Sequence, residues 1–71
     1  MDNRLLKEIV KENIEWFWNN DPIVDSNAND FDVWEAFRVW CVQNLMELGV
    51  SKRTAEKETN KGYCFWRAYN E

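Results

Sequence analysis

The sequence predicts an all-α fold: a compact three-helix domain with helices near residues 3–18, 31–48 and 52–69. Three observations lead there. Apolar residues recur at three- and four-residue spacing through the first two segments. Asn19-Asn20-Asp21-Pro22 and Gly49 stand where those segments should stop. Asp30 and Ser51 stand where helix N-caps belong.

In the first segment Leu5, Leu6, Ile9, Val10, Asn13, Ile14, Trp16 and Phe17 fall on one broad face at ~100° per residue. Glu8, Glu12 and Glu15 share the opposite side. Trp18 departs from the apolar face and projects beside Lys7 and Lys11, which makes it an expected surface anchor. The residue before a proline disfavours the helical region, so the helix should end ahead of Pro22. Residues 21–30 read as a polar connector, anchored by Ile23 and Val24.

Asp30 is the expected N-cap of the second helix, with Asp32 adding favourable charge in its first turn. Val33, Trp34, Phe37, Cys41, Leu45 and Leu48 form the main face of that helix, and Gly49 its C-terminal cap. A second apolar strip carries Val39, Val42 and Met46, while Trp40 borders the polar strip of Asp32, Ala36, Gln43 and Glu47. A helix apolar on most sides is expected at the centre of the domain. The third segment begins after Ser51. A continuous helix aligns Ala55, Thr59, Gly62, Tyr63, Trp66 and Tyr69 on one face. The competing reading stops the helix at Asn60-Lys61-Gly62 and makes residues 63–69 a strand, because aromatic residues favour strands. The helix is preferred, since a lone strand has no partner.

Composition excludes several functions. There is no His, so a His-based triad is absent, and Cys41 and Cys64 alone cannot complete a four-ligand zinc site. Gly49 and Gly62 are too far apart for a phosphate loop. The chain is expected to have no enzymatic activity and no cofactor. Asp25, Asn27 and Asn29 have the spacing of an EF-hand loop, but Asp30 replaces its turn glycine and Ala36 its bidentate acid, so no metal is expected. No apolar run approaches the ~18 residues of a membrane span, and the first residues lack a signal-peptide core. The expectation is a cytoplasmic protein with reduced cysteines. A 71-residue chain beginning with Met reads as a complete small gene product of the kind common in phage and mobile elements.

Charge is unevenly spread. The formal net charge is −4, yet residues 37–71 carry six bases against four acids. The bases Lys52, Arg53, Lys57 and Lys61 are concentrated in one stretch, while residues 1–36 carry nine acids. That acidic half could serve as a mimic of nucleic-acid phosphates, or simply as a solvated surface.

Leu45-Met46-Glu47-Leu48-Gly49-Val50-Ser51-Lys52-Arg53-Thr54-Ala55 resembles the centre of a helix-turn-helix DNA-binding motif. Gly49 matches the turn glycine, Ser51 the cap, and Val50 and Ala55 the inward-packing positions. The resemblance implies a regulator that uses Ser51–Lys61 as its recognition helix, with Lys52, Arg53, Lys57 and Lys61 meeting phosphates. Leu45 and Glu58 depart from the pattern, and Glu56 and Glu58 oppose an approach to DNA. The leading expectation is therefore different: a small interaction protein that binds and modulates or inhibits a larger protein. Its expected contact residues are Trp18, Trp40, Val39, Val42 and Met46. Homodimerisation is compatible with either reading, and DNA binding is the alternative.

Overall fold

Caps decide where each helix begins and ends. The computed structural model describes the backbone of residues 3–70 and the side chains of residues 4–69. Helix α1 runs Asn3–Asn20, α2 Asp30–Glu47 and α3 Lys52–Asn70. Among the described residues there is no strand. α1 extends two residues past the expected end because Asn19 and Asn20 turn their amides back onto the carbonyls of Glu15 and Trp16, both at 2.8 Å. The proline restriction falls on Asp21, where the helix does stop. Asp21 then caps a short 3-10 turn, Pro22–Asp25, by accepting from the Ile23 amide at 3.0 Å. Ile23 and Val24 in this turn rest half-buried against the core.

The cap of α2 is Asn29, in place of the expected Asp30. The Asn29 side-chain oxygen accepts from the Asp32 amide at 2.8 Å, which puts Asp30 inside the first turn. There Asp30 and Asp32 both lie at the positive end of the helix dipole. At the other end Gly49 adopts φ +93°, and two backbone bonds close the turn. Gly49 donates to Met46 at 3.0 Å and Val50 to Leu45 at 3.1 Å, the pairing of a Schellman cap. Leu48 sits in this turn and is 55% exposed, so it leaves the apolar face to which its spacing assigns it. Ser51 caps α3 by accepting from the Thr54 amide at 3.3 Å.

Cross-helix contacts give the direction of each helix. Asn13 meets Cys41 and Phe17 meets Phe37, so α1 and α2 are antiparallel. Cys41 meets Thr59, Phe37 meets Tyr63 and Asp30 meets Arg67, so α2 and α3 are antiparallel along most of their length. The result is an up-down-up bundle in which α1 and α3 run parallel.

Its interior is stacked in levels. Leu6, Val10, Leu45 and Ala55 fill the end nearest the α2–α3 turn. A polar level follows, where the Cys41 sulfur accepts from Asn13 Nδ2 at 3.5 Å and from Thr59 Oγ1 at 3.4 Å. Thr59 is fully buried, and this bond satisfies its hydroxyl. Next comes a ring level: Phe17 lies edge-on to Phe37 at 5.3 Å, and Phe37 stacks on Tyr63 at 5.5 Å. Such ring pairs add ~0.5–1.5 kcal/mol each beyond the area they bury.

α3 comes closest to both other helices, although the apolar periphery of α2 marks that helix as the expected centre. The reason is side-chain size. α3 presents Ala55, Thr59 and Gly62 inward, so its backbone can approach, whereas α1 and α2 are held apart by Phe17, Phe37 and Trp40. Gly62 is therefore a contact residue and not a helix terminator. A Cβ placed there would run into Val10 Cγ1. α3 runs through Gly62 without a break, so residues 63–69 are helix.

A test follows from Gly62. Replacing glycine by alanine inside a helix ordinarily gains ~1 kcal/mol. Here Gly62→Ala should lose about 1–3 kcal/mol in urea denaturation, because the added methyl overpacks the α1–α3 contact. Val10→Ala in the same chain should recover part of that loss; unaltered stability of Gly62→Ala would show that the helices are not in close contact.

The thiols supply a second test. Burial pushes the Cys41 thiol above its usual range, which disfavours the reactive thiolate, whereas Cys64 is exposed. A disulfide-exchange reagent should therefore modify Cys64 quickly in the folded protein and reach Cys41 only on unfolding. Equal rates at both thiols would show that the polar level is open to solvent.

Candidate functional site

Too many rings surround this small interior for all of them to enter it. None of the five tryptophans is fully buried: Trp16 is 53% exposed, and Trp18, Trp34, Trp40 and Trp66 are half-buried. Trp16 and Trp40, and Trp18 and Trp66, lie along two edges of the bundle and contribute to two distinct surfaces, while Trp34 packs on Tyr63 at 4.7 Å between α2 and α3.

The first surface lies between α1 and α2. Trp16 and Trp40 stack across the two helices with ring centroids 5.4 Å apart and 23° between planes. Helical spacing continues this edge along α1 through half-buried Ile9 to Leu5, which is 53% exposed. The exposed residues Glu12 on α1 and Glu47 on α2 flank it. Trp40 thus belongs to an apolar edge. The sequence marks this residue as a contact candidate, whereas Trp16 and Leu5 follow the periodicity of the core. Periodicity could not separate them from buried residues, because the α1 apolar face is broader than the face its neighbours cover.

The second surface is a groove of about 1070 Å³ between α1 and α3. Val10, Ile14 and Gly62 line it, and Trp18, Phe65, Trp66 and Tyr69 supply its rings. Trp18 packs on Trp66 at 4.5 Å and is half-buried, so it is less free than its place beside Lys7 and Lys11 implies. Phe65 and Tyr69 pair at 5.0 Å and are 67% and 78% exposed. These two rings become neighbours only when α3 is continuous; a strand would have put Phe65 and Tyr69 on one face and Trp66 on the other.

The remaining expected contact residues are dispersed. Val39 and Met46 are exposed on the outward side of α2. Val42, between them in sequence, is 7% exposed and belongs to the core, because it turns towards α3. The strip Val39, Val42 and Met46 is therefore broken, and it does not join Trp40.

The basic residues Lys52, Arg53, Lys57 and Lys61 are all exposed. Arg53, Lys57 and Lys61 follow one another at four-residue spacing along the outer side of α3. Glu56 and Glu58 are half-buried at its two flanks and do not interrupt that row. The helix pair that carries it nonetheless differs from a helix-turn-helix unit, whose helices cross at ~90–120°. α2 and α3 stay side by side from the turn out to Asp30 and Arg67, whose charged groups are 3.7 Å apart. Helices crossing steeply diverge after the turn and could not make this contact.

Among the described residues, no three His, Cys, Asp or Glu side chains converge as a metal site would require. In the connector, the Asn29 oxygen is engaged in capping α2 and the Asp21 carboxylate in capping the 3-10 turn. Among the described residues, no helix is long and apolar enough to cross a membrane. No protein-family model, no curated protein and no solved structure matches this chain.

Proposed function

We infer that this is a small non-enzymatic interaction protein that docks on a larger protein and modulates it. The observation that carries the reading is the Trp16–Trp40 pair. Two large rings lie together at the surface, with Ile9 and Leu5 extending the same edge. Core packing gives no reason for Trp16 to be half-exposed, whereas tryptophans at interface centres commonly dominate binding energy. The flanking acids Glu12 and Glu47 favour a partner with basic residues around an apolar contact. Neither Val39 nor Met46 shares this edge, so both are secondary to it.

The alternative is a DNA-binding regulator that uses the exposed row of Arg53, Lys57 and Lys61. The row favours it; the hairpin geometry of α2 and α3 and the net charge of −4 count against it. Three phosphate contacts would give a salt dependence with a log–log slope of about −3.

Affinity capture on the folded protein separates the readings. Trp16→Ala should lower affinity for the captured protein partner by about 2 kcal/mol or more, while Lys57→Ala leaves it within ~0.5 kcal/mol. Salt-sensitive duplex-DNA binding, lost in a chain carrying both Arg53→Ala and Lys57→Ala, would overturn the protein-partner reading in favour of the alternative.

A further inference from the structure

The Trp16–Trp40 edge is a seam between two antiparallel helices, and α3 covers only the other side of that pair. Val10, the α1 residue against Gly62 of α3, lies ~120° round α1 from Trp16. At ~100° per residue, Leu5, Ile9, Glu12 and Trp16 fall within ~60° of one another. They form a stripe along α1 that is ~17 Å long at ~1.5 Å per residue. Trp40 joins it from α2. Asn13 meets Cys41 and Phe17 meets Phe37, so Glu47 on α2 comes close to the level of Ile9, about one turn from Glu12. The apolar strip therefore has an acid on each of its two sides.

We propose that this seam seats an amphipathic, basic helix of the partner protein, about three turns long, which completes a four-helix bundle on the α1–α2 pair. The proposal rests on the protein-partner reading and adds what the partner presents at the edge.

Charge selects the occupant. Among the described residues, the edge carries acids and no base. Lys7 and Lys11 line the α1–α3 groove, Arg4 lies ~100° round α1 from Leu5, and Arg38 is held by Glu35 at 2.7 Å. A second copy of the edge would set Glu12 and Glu47 against acids, and nucleic acid would set phosphates against them. A helix with Lys or Arg beside its apolar face meets both with opposite charge.

The backbone selects its form. Among the described residues there is no strand, so the seam offers no sheet edge to which an extended segment could add. A segment laid over Trp16 and Trp40 loses water from its own amides and carbonyls, and an α-helix satisfies those groups internally. Spacing agrees with that form. Leu5, Ile9 and Trp16 recur at helical intervals along one line, and a helix lying beside α1 offers its own anchors at the same intervals.

The test is a display selection on the folded full chain, from an unbiased library of random peptides about 20 residues long, enough for more than three turns. Enriched sequences should carry apolar residues at three- and four-residue spacing with Lys or Arg beside them. Their circular dichroism should become helical on binding. Leu5→Ser and Trp16→Ala should each weaken that binding by about tenfold or more, in chains whose thermal melts show the fold retained. Glu12→Lys should weaken binding of the basic peptides and restore it for a peptide whose facing Lys is replaced by Glu. Extended or acidic binders, binders indifferent to both Leu5→Ser and Trp16→Ala, or no enrichment at all would overturn the proposal. A protein partner that requires Trp16 yet lays an extended or acidic segment on the seam would overturn the helix and leave the partner reading standing. Capture indifferent to Trp16→Ala would instead remove the partner reading itself.

Discussion

The close approach of α3 to its two neighbours sets most of what this structure does. It depends on small inward side chains: Ala55, Thr59 and Gly62 let the α3 backbone reach α1 and α2, and Gly62 has no room for even one added carbon beside Val10. Because the third helix lies so near, the Cys41 sulfur can receive bonds from both α1 and α3. That polar level ties the three helices together at one height. A shift of one turn would strand the Thr59 hydroxyl without its partner in the interior, so this level adds to the register already set by Gly62 against Val10 and by the ring level.

Close packing has a second consequence. A bundle drawn in around alanine, threonine and glycine has little interior volume left for indole rings. The core takes Phe17, Phe37 and Tyr63, Trp34 lies half-buried over Tyr63, and the other four tryptophans are displaced towards an edge. The rings find one another there, as Trp16 with Trp40 and Trp18 with Trp66. The apolar surfaces that carry the functional readings thus arise from the same constraint that fixes the core. Widening the bundle by enlarging α3 residues would alter both together.

The three helices were legible in the sequence because apolar spacing, caps and breakers agree at nearly every boundary. The misplaced details have specific physical causes. Asn29 took the cap from Asp30 because both are good caps at adjacent positions, and only the backbone conformation at 29 decides between them. Gly62 was ambiguous because glycine serves equally as a terminator and as a close-contact residue; the difference lies in Val10, fifty-two residues earlier. The candidate surfaces were less legible than the fold. A helical wheel sorts residues by angle but does not say how wide an arc the neighbouring helices cover. By angle alone Trp16 and Leu5 belong with the core and Val42 with the surface, and the Phe65–Tyr69 pair exists only once α3 continues past Gly62. Where the sequence was most direct, in the basic row of α3, the exposure matches, but the hairpin that carries the row lacks the crossing of the motif it resembles.

Charge then distinguishes the two edges. The Trp16–Trp40 edge is flanked by Glu12 and Glu47, so a copy of the same edge brought against it would meet like charges. The α1–α3 groove instead carries both signs, with Lys7, Lys11, Glu8 and Glu15 on α1 and Lys61 and Glu58 on α3. Three charges of each sign give it no net attraction for a ligand of one sign, whereas the acids beside Trp16 and Trp40 favour a basic rim around an apolar contact. The electrostatic argument for a partner therefore falls on the Trp16–Trp40 edge and not on the groove.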